Sequence, residues 1–356
     1  MGIMDFDTVR LDDEQSALVI IDQTRLPNEI KILSLRTQKE IWDAIYHLKV
    51  RGAPAIGVAA AIGLYLAAKS INANDFDAFY AELKKAKAYI ASARPTAVNL
   101  FWALGRMEET ALKNKDLTPD EIKKRLHDEA QAIREEDIRV CKSIGEYGVS
   151  LLKDGDGILT HCNAGQLATI KYGTALAPIH LGRGKGMRFK VFACETRPLL
   201  QGARLTALEL FENGIDTTII CDNMASQVMK NGWVKIIFTG CDRLAANGDA
   251  CNKIGTSGLA ILAQHYNIPF FVCAPLSTID MQTAEGADIP IEERPASEIT
   301  KLWYERPMAP EGVKVYNPAF DVTEHALITG IITEYGIAYP PYEKSLKELF
   351  DKKPKR

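Results

Sequence analysis

TTIICDNMASQVMKNGWVKIIFTGCDR, Thr217 to Arg243, sets the architecture. Two short runs rich in Thr, Ile and Phe, Thr217 to Cys221 and Lys235 to Thr239, enclose a segment of helix length. Each run ends on polar residues, Asp222-Asn223 and then Asp242-Arg243. A strand, a crossover and a second strand of this kind make a right-handed βαβ unit, and such units pair in parallel. The same pattern extends outward. Gly157 to His161 and Lys190 to Cys194 read as strands on the N-terminal side, and Pro269 to Cys273 as one on the C-terminal side. The spacing predicts a doubly wound parallel sheet after Asp154.

The N-terminal third reads differently. Thr8 to Leu11 and Ala17 to Asp22 are apolar or β-branched runs separated by the turn DDEQ, which predicts a small antiparallel sheet. TQKE at Thr37 is a capping box before Ile41, Ile45 and Leu48, so a helix is expected from there to about Arg51-Gly52. Thr118-Pro119-Asp120-Glu121 opens a second helix that runs towards Leu152 and joins two domains. The expected division is an α+β domain over 1–125 and a catalytic domain, with its connecting helix, over 126–356. Ala53 to Ala68 is apolar but falls short of the ~20 residues a bilayer needs, and it reads as a buried helix.

Composition narrows the function classes. The 356 residues are 47 % hydrophobic and 25 % charged, with 43 basic and 46 acidic side chains giving a net charge of -3. That balance provides no electrostatic footprint for nucleic acid, and no membrane segment is expected. The first residues carry Asp5, Asp7, Asp12, Asp13 and Glu14 without an apolar core, unlike a secretory or transit signal, so the chain is expected in the cytoplasm. The 7 cysteines include no CxxC pair, which predicts neither a zinc knuckle nor a disulfide framework.

Ligands of open parallel sheets bind outside the carboxyl ends of the strands. Those ends here are His161-Cys162-Asn163, Cys194-Glu195-Thr196-Arg197, Cys221-Asp222-Asn223, Gly240-Cys241-Asp242-Arg243 and Ala274-Pro275-Leu276-Ser277. Cys162, followed by NAG and an expected helix, is either a base or nucleophile favoured by that helix's dipole or an inert strand-end thiol. Asp242 is either a proton donor, if desolvation raises its pKa, or a helix cap. Glu195 with Arg197, and Asp222 with Asn223, read equally as ion pairs and caps. Asn252-Lys253-Ile254-Gly255-Thr256-Ser257-Gly258, before an apolar helical run, could cradle an anion. Arg51-Gly52-Ala53 and Arg94-Pro95-Thr96 place arginines at two further breaks. Gly182 to Gly186 follows no strand in the register a dinucleotide fingerprint needs, and it reads as a hairpin or crossover loop.

The segments RGAPAIG from Arg51, ARPTAVNLFWAL from Ala93, LTHCNAGQLAT from Leu159, ETRPLLQGARLTALEL from Glu195, GIDTTIICDNMAS from Gly214 and GCDRLAANGDACNKIGTSGLA from Gly240 stand in order along most of the chain. In these the sequence resembles the family that groups the regulatory subunits of translation initiation factor 2B with aldose–ketose isomerases of sugar 1-phosphates. The thiol in THCN and the aspartate in GCDR resemble its isomerase branch. The resemblance implies a smaller α+β N-terminal domain followed by a Rossmann-like, doubly wound C-terminal domain, assembled as a homodimer without metal or nucleotide cofactor. It implies that Cys162 and Asp242 are the catalytic pair. It also implies that Arg51, Gly52, Ala53, Arg94, Gln201, Asn252 and Lys253 bind the sugar phosphate.

The implied reaction converts 5-methylthioribose 1-phosphate to 5-methylthioribulose 1-phosphate in methionine salvage. A 1-phosphorylated sugar is locked as a ring, so a proton must reach the ring oxygen before C2 can react; Asp242 is expected to supply it, after which either the Cys162 thiolate removes the C2 proton or the C2 hydrogen migrates to C1 as hydride. Related substrates, 5-deoxyribose 1-phosphate and ribose 1,5-bisphosphate, differ only at C5. Phe101 and Trp102, beside Arg94, suggest an apolar wall there, although Trp102 reads equally as core. A non-catalytic regulatory subunit is the reading from another class, and the presence of both Cys162 and Asp242 weighs against it.

Overall fold

The computed structural model describes residues 2–354. The chain divides into two compact units, Met1–Lys142 with Gly165–Gly173, and Ser143–Ala164 with Thr174–Arg356.

The first unit begins with β1 (Val9–Asp12), β2 (Ala17–Ile21) and β3 (Ile32–Leu35), an antiparallel sheet in that order. Its first two strands match the expected runs, and β3 was not anticipated. Helices α1 (Gln38–Tyr46), α2 (Ala53–Ser70), α3 (Phe76–Ala91), α4 (Val98–Lys113) and α5 (Pro119–Val149) follow. The Thr37 capping box forms as expected: Glu40 N–H donates to Thr37 Oγ1 at 3.2 Å, and Thr37 N–H donates to Glu40 Oε2 at 2.9 Å. The helix ends at Tyr46, short of Arg51, because Leu48 turns left-handed (φ 58°) and Lys49 N–H closes back on Ala44 O at 2.9 Å. The second box, Thr118 with Glu121, starts α5, whose last turns from Ser143 belong to the second unit. α2 is long and apolar enough to cross a membrane. Ala55 to Ala68 are nevertheless buried, and α2 is the central helix of this unit's core.

The second unit is built on β4 (Gly157–Thr160), α6 (Ala177–Gly184), β5 (Lys190–Cys194), α7 (Ala207–Glu212), β6 (Asp216–Ile220), α8 (Ala225–Lys230) and β7 (Ile236–Thr239). It continues with β8 (Arg243–Ala245), β9 (Ala250–Lys253), α9 (Thr256–His265), β10 (Phe270–Cys273), β11 (Ile279–Asp280), α10 (Ser297–Thr300), β12 (Phe320–Thr323), β13 (Gly330–Thr333), β14 (Gly336–Ala338) and α11 (Tyr342–Asp351). The large sheet runs β14-β13-β10-β7-β4-β5-β6. All its pairs are parallel except β13 with the edge strand β14. The chain winds from β4 through β5 to β6 in one direction, then restarts at β7 on the other side of β4. This is the Rossmann-like, doubly wound order, and its reversal falls between β4 and β7.

Each of the five strands expected in this sheet is present with its ends within a residue of the sequence reading. Two features depart from it. After β7 the chain forms a β8–β9 hairpin instead of a helix, and this joins a second sheet of order β11-β8-β9-β12. Gly182 and Gly184 lie in the last turn of α6 rather than in a loop. Pro178 stands in the first turn of that helix, where proline is favoured.

Candidate active site

Cys162 and Asp242 leave adjacent parallel strands at the same end. Thr160 of β4 is registered with Phe238 of β7, so the two chains emerge side by side, ~4.8 Å apart, where the strand order reverses. The loops also touch: a Cβ at Gly240 would lie 2.7 Å from the Ala164 Cβ. The alternative reading of Asp242 as a helix cap does not hold, because β8 follows it and its N–H donates to Cys251 O at 2.9 Å. Arg243 pairs with Cys251, whose carbonyl Asp242 also reaches, so Asp242 stands at the open end of the β8–β9 hairpin.

The helix expected directly after Cys162 is absent. A single turn, Gln166–Ala168, follows, and α6 starts only at Ala177. Residues 165–173 fold instead with the first unit, where Gln166 Nε2 donates to Phe6 O at 2.8 Å and Thr8 Oγ1 donates to Gln166 O at 2.8 Å. One turn sums too few peptide dipoles to favour a thiolate. What distinguishes Cys162 is its backbone: φ is 61°, in the left-handed region that residues with a Cβ seldom enter. Its N–H donates to Thr196 Oγ1 at 2.8 Å, and its carbonyl accepts from Thr206 Oγ1 at 2.6 Å.

The other thiols of the second unit are poor candidates. Burial pushes Cys194, Cys241 and Cys273 far above the ordinary thiol range and Cys251 up to about 12, while Glu195 raises Cys221. Cys162 is only half-buried.

Gln201 sits over the end of β5, with Gly202–Thr206 forming a wide π-turn behind it. Its Oε1 is buried and accepts no hydrogen bond among the described residues. Asn252 and Lys253, at the end of β9, are also buried. Asn252 Nδ2 donates to Thr256 Oγ1 at 3.1 Å, and Lys253 Nζ donates to Ala319 O at 2.9 Å, 4.8 Å above the Phe320 ring. Thus the second unit gathers Cys162, Gln201, Asp242, Asn252 and Lys253 around the carboxyl ends of β5, β4 and β7.

The anion cradle expected at Gly255 to Gly258 is filled by the protein itself. Asp321 accepts from Gly255 N–H at 2.8 Å, Ser257 N–H at 3.2 Å and Ser257 Oγ at 2.9 Å, closing the start of α9. No local signal in the sequence links Asp321 to that turn. The ion pair considered for Glu195 gives way to another arrangement, in which Arg197 Nη2 donates to Ile299 O at 2.9 Å. Asp222 accepts the N–H groups of Thr196 and Arg197 at 2.8 and 2.7 Å.

His161 Nδ1, Cys194 Sγ and an Asp222 oxygen lie within 4.8 Å of one another, the donor types that could hold a metal. Their chemistry fits a different use. Asp222 is already taken by the two N–H groups, burial holds the Cys194 thiol neutral, and His161 Nε2 is 2.8 Å from Ile254 O. Burial also pushes His161 below the ordinary histidine range.

Arg51, Gly52, Ala53 and Arg94 belong to the first unit. Gly52 precedes α2 with φ 93°, and a Cβ there would lie 2.5 Å from the Ala168 backbone, so only glycine fits. The N-cap of α2 is Gly52, which has no side chain to cap the helix. Gly57 packs on the Asn99 carbonyl, which sets the first turns of α2 and α4 together and puts both arginine-bearing segments at one end of that helix pair. Trp102 packs on this unit's core beneath Arg106, 5.4 Å from its guanidinium, and Phe101 is exposed.

A family model described as the Initiation factor 2 subunit family matches residues 49–340. A relative from Symbiobacterium thermophilum, named methylthioribose-1-phosphate isomerase, is 67 % identical over 345 residues, 97 % of this chain and 96 % of its own. One from Clostridium botulinum (strain Loch Maree / Type A3), named 5-deoxyribose 1-phosphate isomerase, is 56 % identical over 347 residues, 97 % of this chain and 98 % of its own. The crystal structure of 5-methylthioribose 1-phosphate isomerase from Pyrococcus horikoshii OT3 superposes with a TM-score of 0.90 at 44 % identity, covering 97 % of this chain and 96 % of the other.

Proposed function

The chain belongs to the initiation factor 2 subunit family, and from that premise we propose that it is an aldose–ketose isomerase converting 5-methylthioribose 1-phosphate to 5-methylthioribulose 1-phosphate in methionine salvage. The observation that carries this reading is the pair Cys162 and Asp242, set on adjacent strands at the point where the sheet order reverses.

In the proposed mechanism Asp242 gives its proton to the ring oxygen, the C1–O bond breaks, and the cation at C1 is stabilised by its phosphate oxygen. Either the Cys162 thiolate then takes the C2 proton and the enol is protonated at C1, or the C2 hydrogen migrates to C1 with its electron pair. In both routes the C2 hydroxyl gives its proton back to the Asp242 carboxylate as it becomes the ketone, so the carboxyl ends as it began. Solvent deuterium in the product marks the first route, and its absence marks the second. Gln201, whose buried Oε1 meets no donor among the described residues, and Asn252, on β9 of the hairpin that Asp242 enters, are assigned to substrate hydroxyls. Arg51, Arg94 and Lys253 are assigned to the phosphate with the N–H groups of Gly52 and Ala53 at the start of α2. The steps move only protons or a hydride within the sugar and call on no cofactor.

The reading extends to a homodimer acting in the cytoplasm. In support of the dimer, β6 is an outer strand of the large sheet and Phe211, Ile219 and Trp233 are exposed around it. A second substrate, 5-deoxyribose 1-phosphate, is favoured by the Clostridium botulinum relative. Assaying the purified chain against the 5-methylthio, 5-deoxy and 5-phospho sugars tests the choice. The expected order of kcat/KM is methylthio first, deoxy second and bisphosphate last; a preference for the bisphosphate overturns it.

A further inference from the structure

Cys162 and Thr196 are both left-handed, with φ of 61° and 66°, and they hold one another there. Cys162 N–H donates to Thr196 Oγ1 at 2.8 Å, and that hydroxyl in turn donates to Cys194 O at 2.9 Å. Thr196 is itself anchored, its N–H donating to Asp222 Oδ1 at 2.8 Å. On the other side of the cysteine, Thr206 Oγ1 donates to Cys162 O at 2.6 Å and accepts from Asn163 Nδ2 at 3.2 Å. Asn163 Nδ2 also donates to Glu209 Oε1 at 2.9 Å, and Glu209 is fully buried. Thr206 reaches the cysteine from the closing position of the π-turn Gly202–Thr206, an irregularity that recurs at functional sites.

Two buried hydroxyls thus grip the peptide groups on either side of one Cα. Fixing both planes fixes φ and ψ of Cys162, and with them the direction of its Cα–Cβ bond. Neither threonine is accessible to solvent, so no water competes for the bonds.

We propose that Thr196 and Thr206 are positioning residues, whose hydroxyls clamp Cys162 in its left-handed conformation and thereby aim its sulfur at the substrate. The role rests on the isomerase reading of Cys162 and adds to it the device that sets the thiol's direction. Valine has the shape and the backbone preferences of threonine, so Thr196→Val and Thr206→Val remove the clamp with little change in packing, while Thr196→Ser and Thr206→Ser retain it.

The test measures kcat and KM for 5-methylthioribose 1-phosphate on the full chain. It also follows iodoacetamide modification of Cys162 by peptide mass spectrometry across a pH series. The valine variants are expected to lose about 100-fold in kcat with KM changed by less than about 3-fold, since small misplacements of a reacting group act on the chemical step. The pH profile of Cys162 modification should move with them, and the serine variants should restore both. Where a valine variant fails to fold, the corresponding alanine variant, which adds no bulk, carries the same expectation. Folded variants without the hydroxyl that keep wild-type kcat and the wild-type modification profile overturn the proposal. Should the wild-type chain show no isomerase activity, the functional reading fails, and the modification profile still decides the clamp.

Discussion

At the scale of single residues, chemistry concentrates where satisfied hydrogen bonds give way to unsatisfied or strained groups. Gln201 shows this clearly: its Oε1 is buried and the described residues offer it no donor. An unpaired buried oxygen costs stability and is retained where a ligand uses it. Gln201→Leu should therefore raise KM about 10-fold, the worth of one hydrogen bond of about 1.4 kcal/mol, without lowering the melting temperature. A lower melting temperature with unchanged KM would make Gln201 structural. Cys162 and Asp242 were legible because both follow β-rich runs and end on a polar rim. The threonine hydroxyls were harder to see. Thr196 stands on the same rim, but Thr206 lies in an ordinary helical sequence, and the π-turn that presents it leaves no local signature.

At the scale of elements, two glycines fix how segments approach. A Cβ at Gly202 would lie 1.7 Å from the Cys194 carbonyl, so Gly202→Ala must displace the π-turn from the end of β5. Activity and melting temperature should fall together, and a variant normal in both would contradict the close packing. Gly52→Ala combines a clash at 2.5 Å with a φ of 93°, and should cost the first unit about 2 kcal/mol or more in denaturant unfolding. α5 holds residues 165–173 through Asp137, whose Oδ2 accepts from Ile170 N–H at 2.7 Å. Burial raises this carboxyl from 3.8 to about 7. The folded chain binds that proton more tightly than the unfolded chain, so the contribution is complete below pH 3.8 and is lost as pH rises to about 7. Asp137→Asn keeps the acceptor and removes the titration. It should flatten the pH dependence of the melting temperature across that interval, and an unchanged slope would rule out Asp137 as its source. The return of residues 165–173 to the first unit could not be read from the sequence, because its bonds join partners some 160 positions apart.

At the scale of the whole molecule, the parallel sheet was legible because buried parallel strands read as short continuous apolar runs. The smaller β11-β8-β9-β12 sheet was not, since its strands are short, polar in part, and paired across distant segments. Ile219 lies exposed on the outer strand β6. Ile219→Lys should convert a dimer to monomers in light scattering, and a variant that stays dimeric would place the subunit contact elsewhere. One thiol and one carboxyl, just beyond the ends of adjacent strands, are proposed to perform the isomerisation. Proton NMR of 5-methylthioribose 1-phosphate incubated with the wild-type chain, Cys162→Ser and Asp242→Asn tests this. The wild type should produce the open-chain ketose while each variant, melting as the wild type does, is slower by about 1,000-fold. A folded variant at either position that turns over at the wild-type rate would contradict it.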